Sequence, residues 1–265
     1  MGDLMLYNSN VFNWDEFIKT QNQNIERHLM NYGRFSLSVA DSGFDNWLDG
    51  YKIGAPDRKV SIYPDGALCM LMVDLEIIKY TNGKYSLHTV MKDLYHDFAL
   101  NKKGYSESDF KNTCIKYGGE KVLKIFKKHI YGIEDYIPSL SSALEIVGLE
   151  LKQKKNTNLS AQYFGLVTIK ENGKEIVKKI EPDSIADKKG IGPEDEIVKL
   201  NSKLITGDLN KLLENCNHEI ELTFKSKFSE KTVRLLKGNY YKLLEIKKVN
   251  KSSENQILLR KKWIS

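Results

Sequence analysis

Five histidines, His28, His88, His96, His129 and His218, are the residues of this chain best suited to hold a metal or move a proton. No two of them stand in an HExxH run, the spacing that sets two imidazoles on one helix face around zinc with a glutamate as base, so no metal site is expected within the chain. His88 and His96 sit at the edges of a helical apolar stripe and read as surface or capping residues rather than ligands. A serine nucleophile finds no GxSxG turn, and the glycines form neither a phosphate loop nor a dinucleotide fingerprint. Cys69, Cys114 and Cys216 are odd in number, far apart and inside apolar-periodic segments. They read as buried thiols of a reducing, cytoplasmic compartment, not as a disulfide framework or a CxxC site.

Charge and hydropathy narrow the partners. The net charge is +6, but lysines come in scattered pairs such as Lys127-Lys128, Lys178-Lys179 and Lys261-Lys262 with acids between them. That is a solvated surface, and no nucleic-acid module accompanies it, so nucleic acid is not an expected partner. The longest apolar run, 67–73, makes about two helical turns, far short of the roughly 20 residues that cross a bilayer. The first residues carry neither a secretory pattern nor a myristoylation signal. No membrane partner is expected.

The elements that must position these groups fall into two halves. Trp14, Phe17, Ile18, Ile25 and Leu29 keep helical spacing, with Asn13 placed to cap and Gly33 to stop the helix. Phe44, Trp47, Leu48 and Tyr51 predict a short second helix before Gly54. Pro64 and Asp65 suit a helix start, and the run 67–73, apolar on every side, predicts a central helix ended by Thr81-Asn82-Gly83. Ser86 opens another helix, and two more lie either side of Gly118-Gly119. Around Leu149 the apolar period changes from 3.6 to 2, after a helical half and before a strand-rich one. Asn172-Gly173 between two alternating runs predicts a hairpin, and short helical patterns follow at 184–189 and 208–216. The expected class is α+β multidomain: an all-α helical domain over 1–150, a polar linker over 151–160, a β-rich domain over 161–250, and a tail or short helix over 251–265.

Several motifs, taken in order, resemble the PDZ-bearing glycyl aminopeptidase family of zinc metallopeptidases. They are Ser42-Gly43-Phe44-Asp45-Asn46-Trp47-Leu48, Ser61-Ile62-Tyr63-Pro64-Asp65-Gly66-Ala67-Leu68, Val73-Asp74-Leu75-Glu76-Ile77, Ser86-Leu87-His88-Thr89-Val90-Met91-Lys92-Asp93-Leu94 and Tyr131-Gly132-Ile133-Glu134-Asp135-Tyr136-Ile137-Pro138. The resemblance covers roughly residues 3–248. It implies that the zinc-holding HExxH helix and its glutamate lie upstream of the matched region, so zinc belongs to the complete family members and this chain is expected to carry no cofactor. By resemblance Tyr63 is the transition-state hydrogen-bond donor, with Asp65 where the family has lysine, a charge reversal expected beside the site. The other reading of Tyr63 is an aromatic packing on the core.

The second half resembles a PDZ domain. Tyr163, Phe164, Gly165 and Leu166 resemble its carboxylate-binding loop, in which glycine lets backbone N–H groups turn toward an anion. Leu166, Leu209, Leu212 and Leu213 are the expected walls of a side-chain pocket beside an edge strand, for a peptide or protein C-terminus. At Glu194 the family has the glycine of a turn, so this turn is expected to be built differently or to carry strain. Three functions follow: a C-terminal fragment of a metallopeptidase, inactive alone, with a peptide-binding domain and the missing N-terminal peptidase region as a further partner; a free-standing peptide-binding or scaffolding protein; or a hydrolase with unrecognised catalytic groups.

Overall fold

Helices in the first half begin where side chains answer the orphaned N–H groups of a first turn. The computed structural model describes residues 2–44, 57–227 and 229–264. After α1 (Gly2–Asn8), Asn13 caps α2 (Trp14–Leu29): its side chain accepts from Glu16 N, and the Glu16 carboxylate accepts from Asn13 N. Gly33 does not stop this helix, which ends at Leu29; it lies in a 3₁₀ turn, where a Cβ would come within 2.3 Å of the Lys59 carbonyl oxygen. Close approach, not termination, requires that glycine. α3 (Val39–Phe44) covers the start of the expected second helix, whose Trp47, Leu48, Tyr51 and Gly54 lie outside the described residues.

The chain divides into two units, 1–152 with 244–265, and 153–243. At the centre of the first is α4 (Ile62–Tyr80), enclosed as its all-round apolar run predicts. Leu68, Met72, Val73, Leu75 and Ile77 are fully buried, each contributing roughly 2 kcal/mol. Asn82 and Gly83, both in left-handed conformations, follow its end. Three acids, Asp65, Asp74 and Glu76, are buried along this apolar helix. Asp74 accepts from Leu87 N, at the start of α5 (Leu87–Leu94), at 2.6 Å, and from Trp263 Nε1 at 3.0 Å. It thereby ties the central helix to two others. α6 (Glu107–Ile125) is broken at Gly119, φ 64° and ψ −152°, which gives the two expected helical stretches. α7 (Tyr136–Glu145) closes the series.

Two expectations change here. Residues 151–160 are not an irregular linker: β1 (Leu149–Lys154) pairs with β8 (Leu243–Lys248), and α8 (Leu159–Phe164) follows. The polar composition hid an alternation, because Leu149 and Leu151 face the helical core while Glu150 and Lys152 pair with each other. The first unit is therefore not all-α, and residues from 244 onward belong with its helices. The final helix α11 (Glu254–Trp263), capped by Ser253, adds Leu259 and Trp263 to that core.

In the second unit β2 (Leu166–Glu171) and β3 (Lys174–Ile180) form the hairpin, with Asn172 and Gly173 at φ 49° and 80°. Two positive φ values match the type I′ turn that asparagine-glycine predicts. α9 (Ile185–Lys188), β4 (Glu196–Leu200), β5 (Lys203–Leu204), α10 (Leu209–Leu213), β6 (Glu219–Lys225) and β7 (Glu230–Leu236) follow. The antiparallel sheet has the order β2-β3-β4-β6-β7, with β5 on β4. Val177, Ile197, Leu222, Phe224 and Leu235 fill its core. Glu194 sits at φ 71°, so the turn keeps the glycine-like conformation and carries the strain expected of a side chain there.

Candidate functional site

Tyr63 and Asp65 leave the first turn of α4 on opposite sides, because two residues rotate a helix by about 200°. Tyr63 is 66% exposed, so it does not pack on the core, and Asp65 is 1% exposed. The charge reversal expected beside Tyr63 is thus turned inward. Asp65 Oδ1 lies 2.5 Å from His28 Nδ1, and the His28 ring stacks on Tyr136 with centroids 4.3 Å apart. The carboxylate accepts from Nδ1, and His28 Nε2 is buried without a partner among the described residues. Sequence reasoning missed this pair; its signal was an acid at the start of a helix whose next turns are wholly apolar.

The network extends through Tyr136, whose hydroxyl donates to the His129 carbonyl at 2.9 Å and accepts from Cys69 Sγ at 3.4 Å. Burial pushes the Cys69 thiol up to about 12 and raises the Tyr136 phenol as well, so both stay protonated. Burial lowers the His129 pKa. Its Nδ1 is 3.1 Å from the Glu134 carbonyl oxygen, which can only accept, so Nδ1 carries the proton and Nε2 accepts from Ser139 Oγ at 2.8 Å.

An apolar cavity of about 390 Å³ opens along the same helix face as Tyr63. Gly66 and Met70, three and seven residues further on, lie in its wall with Val39, Phe110 and Phe126. Tyr131 at its rim is pushed up to about 12 by burial and by its hydrogen bond to Glu107. His88, His96 and His218 are exposed and separate. Among the described residues no group of three or more His, Cys, Asp and Glu side chains is placed to hold a metal ion. The donor set does not fit the zinc that the resemblance implies for complete peptidases.

In the β-rich unit the expected carboxylate loop is the end of a helix. Tyr163 and Phe164 are the last residues of α8, and Gly165, at φ 75°, caps it with its N–H on the Ala161 carbonyl at 3.0 Å. That donor is engaged within the helix. A Cβ on Gly165 would stand 2.2 Å from Ser184 Cβ, so both conformation and packing demand glycine. The Tyr163 carbonyl accepts from Gly238 N at 2.8 Å, and Lys237 Nζ lies 4.7 Å from the Tyr163 ring centroid. Of the expected pocket walls, Leu166, Leu209 and Leu213 are buried in the β core and Leu212 is exposed, at 41%; Phe164 of the expected loop is buried there too. α8 itself packs on β2 and α10, with Ser160 N donating to Asn210 Oδ1 at 3.0 Å. What stays open is the outer side of β2, the terminal strand of the described sheet.

A family model described as M61 glycyl aminopeptidase matches residues 1–69. The chain is similar in fold to the crystal structure of an aminopeptidase N family protein from Idiomarina loihiensis, with a TM-score of 0.85 at 20% identity over 99% of this chain. It spans only 46% of that protein's length. Matches also occur to the PDZ domain of EpsC from Vibrio cholerae, at 20% identity over 37% of this chain and 95% of that domain with a TM-score of 0.25. A further match is to a photosystem II D1 C-terminal processing protease, at 13% identity over 65% of this chain and 44% of that one with a TM-score of 0.27. No curated protein matches the chain. Among the described residues no helix is long and apolar enough to cross a membrane.

Proposed function

We propose that the chain is the C-terminal part of an M61-type peptidase fold that is not catalytic alone, and that its β-rich unit is a PDZ-like module binding an extended peptide. The observation that carries the peptide reading is the end position of β2, which pairs with β3 on one side only among the described residues. A strand added there gains main-chain hydrogen bonds, and the exposed Leu212 of α10 offers apolar contact to one of its side chains. The helical unit contributes Tyr63, held outward on a rigid turn, as an oxyanion donor for a reaction whose zinc ligands come from an N-terminal peptidase region, the second partner.

Calorimetric titration of extended peptides into the full chain tests the binding half. Dissociation constants of about micromolar or weaker are expected, since a small groove must order a flexible ligand. Leu212→Glu should weaken binding; no saturable heat with any peptide overturns the reading. For the catalytic half, the chain alone should carry no stoichiometric zinc and leave amino-terminal glycyl and alanyl substrates intact. One zinc per chain with chelator-sensitive hydrolysis would contradict it.

A further inference from the structure

Beyond α5 the helix continues for one turn of different pitch. The segment Tyr95–Ala99 is π-helical, and the Leu100 N–H closes it on the Tyr95 carbonyl at 3.0 Å. Five residues along an α-helix rotate by about 140°, which would set Leu100 well away from Tyr95. The wider turn brings Leu100 back above Tyr95, as Tyr95 stands above Met91 four residues earlier. On the inner side Leu94 is buried and Phe98 packs on the helical core. On the outer side Tyr95 and Leu100 are each more than half exposed, with Met91 exposed below them. Tyr105, also more than half exposed, meets the Phe98 ring edge-on with centroids 6.2 Å apart and extends the ridge. Single exposed apolar residues are ordinary, but a row of them marks a contact surface.

The tip is fixed by its own hydrogen bonds. Asn101 Nδ2 donates to the His96 and Asp97 carbonyls at 3.2 and 3.1 Å, and the Lys103 N–H donates to the Phe98 carbonyl at 3.0 Å. These bonds hold Lys102 at φ 55°, a left-handed conformation that a lysine rarely adopts. Every residue from 99 to 108 is exposed, so the segment projects as a ridge and offers no groove to a partner's side chain. Lys92, Lys102 and Lys103, all exposed, flank it. Of the neighbouring acids, Asp93 accepts from Lys116 and Tyr117, Asp109 from Ser106, and Glu107 from Tyr131, which leaves Asp97 facing these lysines. The surplus charge around the ridge is positive.

We propose that this ridge binds the surface of an anionic lipid bilayer. Met91 and Leu100 enter the boundary of the acyl chains, Tyr95 and Tyr105 keep their hydroxyls at headgroup level, and the lysines meet lipid phosphates. A bilayer fits a projecting tip better than an acidic protein does, because the lipid interface yields to a ridge whereas a folded partner must carry a matching groove. The expectation of no membrane partner concerned spanning segments and lipid signals, and binding at a surface needs neither. The ridge uses neither Tyr63 nor β2 and stands independently of the peptidase and peptide-binding readings.

Co-sedimentation of the full chain with vesicles tests it, using phosphatidylcholine alone and phosphatidylcholine mixed with phosphatidylserine. Three double variants are compared, all at exposed positions: Leu100→Ser with Tyr105→Ser, Lys102→Gln with Lys103→Gln, and, as a charge-matched control, Lys251→Gln with Lys261→Gln. Unchanged urea midpoints show that each folds. Saturable binding to the mixed vesicles only is expected. It should weaken about thirtyfold in the Lys102, Lys103 variant and about tenfold in the Leu100, Tyr105 variant, and far less in the control. No binding to the mixed vesicles overturns the proposal and leaves the ridge to a protein partner. Binding indifferent to Leu100 and Tyr105 also overturns it, as does a loss in the control as large as that in the Lys102, Lys103 variant, since either result reduces the attraction to net charge alone.

Discussion

The first turn of α4 and the last turn of α8 each hold residues that the motifs single out, and the two turns dispose of them differently. At α4, Tyr63 stands exposed while the neighbouring charge that seemed to compromise it, Asp65, is buried against His28. At α8, Gly165 was read as opening a loop toward a ligand, yet its N–H closes on Ala161 and its missing Cβ makes room for Ser184. The difference lies in what the backbone has left to offer. A helix start directs alternate residues to opposite sides and can present one while sealing the other. A left-handed helix end uses the glycine's N–H to complete the helix it terminates.

The largest test of this contrast is Asp65→Lys, which restores the residue expected from the family pattern but forces an ammonium group against a buried imidazole. It should destabilise the chain by about 4 kcal/mol in urea unfolding, whereas Asp65→Leu with His28→Leu should cost under about 2 kcal/mol. A Lys variant as stable as the parent would mean that position 65 faces solvent beside Tyr63.

Next is Gly165→Val, which should cost about 3 kcal/mol or more because it adds strain and a clash at once, with amide protection lost across β2 and β3. A stable variant that loses only ligand binding would restore the carboxylate-loop reading.

A pH series examines Asp74 in the middle of α4. Burial raises the Asp74 pKa above the ordinary carboxylate value despite its two donors. Its neutral form is favoured by folding, so its contribution is fully present below the unfolded pKa and is lost as pH rises through the folded value. The stability advantage over Asp74→Asn should therefore shrink as pH rises, measured by urea midpoints from about pH 4 to 8. An advantage that grows with pH would show that the donors outweigh burial.

The smallest effect belongs to Glu194→Gly, which relieves a left-handed side chain but removes the Lys178–Glu194 contact of 2.9 Å. A net gain of about 0.5–1 kcal/mol is expected from the thermal midpoint. A loss would assign that turn's geometry to the ion pair.

Period and punctuation made much of this fold legible: the enclosed α4, the Asn13 cap, the break at Gly119 and the Asn172-Gly173 hairpin follow from residue type and spacing, while the strain at Glu194 follows from the resemblance, which has glycine there. Polar composition concealed β1, because its two leucines are too few to reveal alternation against four polar neighbours. The candidate sites were less legible. Whether Leu166, Leu209 and Leu213 line a groove or fill a core depends on α8, six residues that composition read partly as linker. The His28–Asp65 pair joins residues 37 apart, and no local pattern announces such a partner.

Hydrogen exchange of the full chain, with and without saturating extended peptide, tests the central claim most directly. The account predicts slowed exchange at alternate amides of 166–171 on β2, where an added strand would bond, with α4 and the Gly165 cap unchanged. Unchanged exchange along β2, or slowing confined to 163–165, would contradict it.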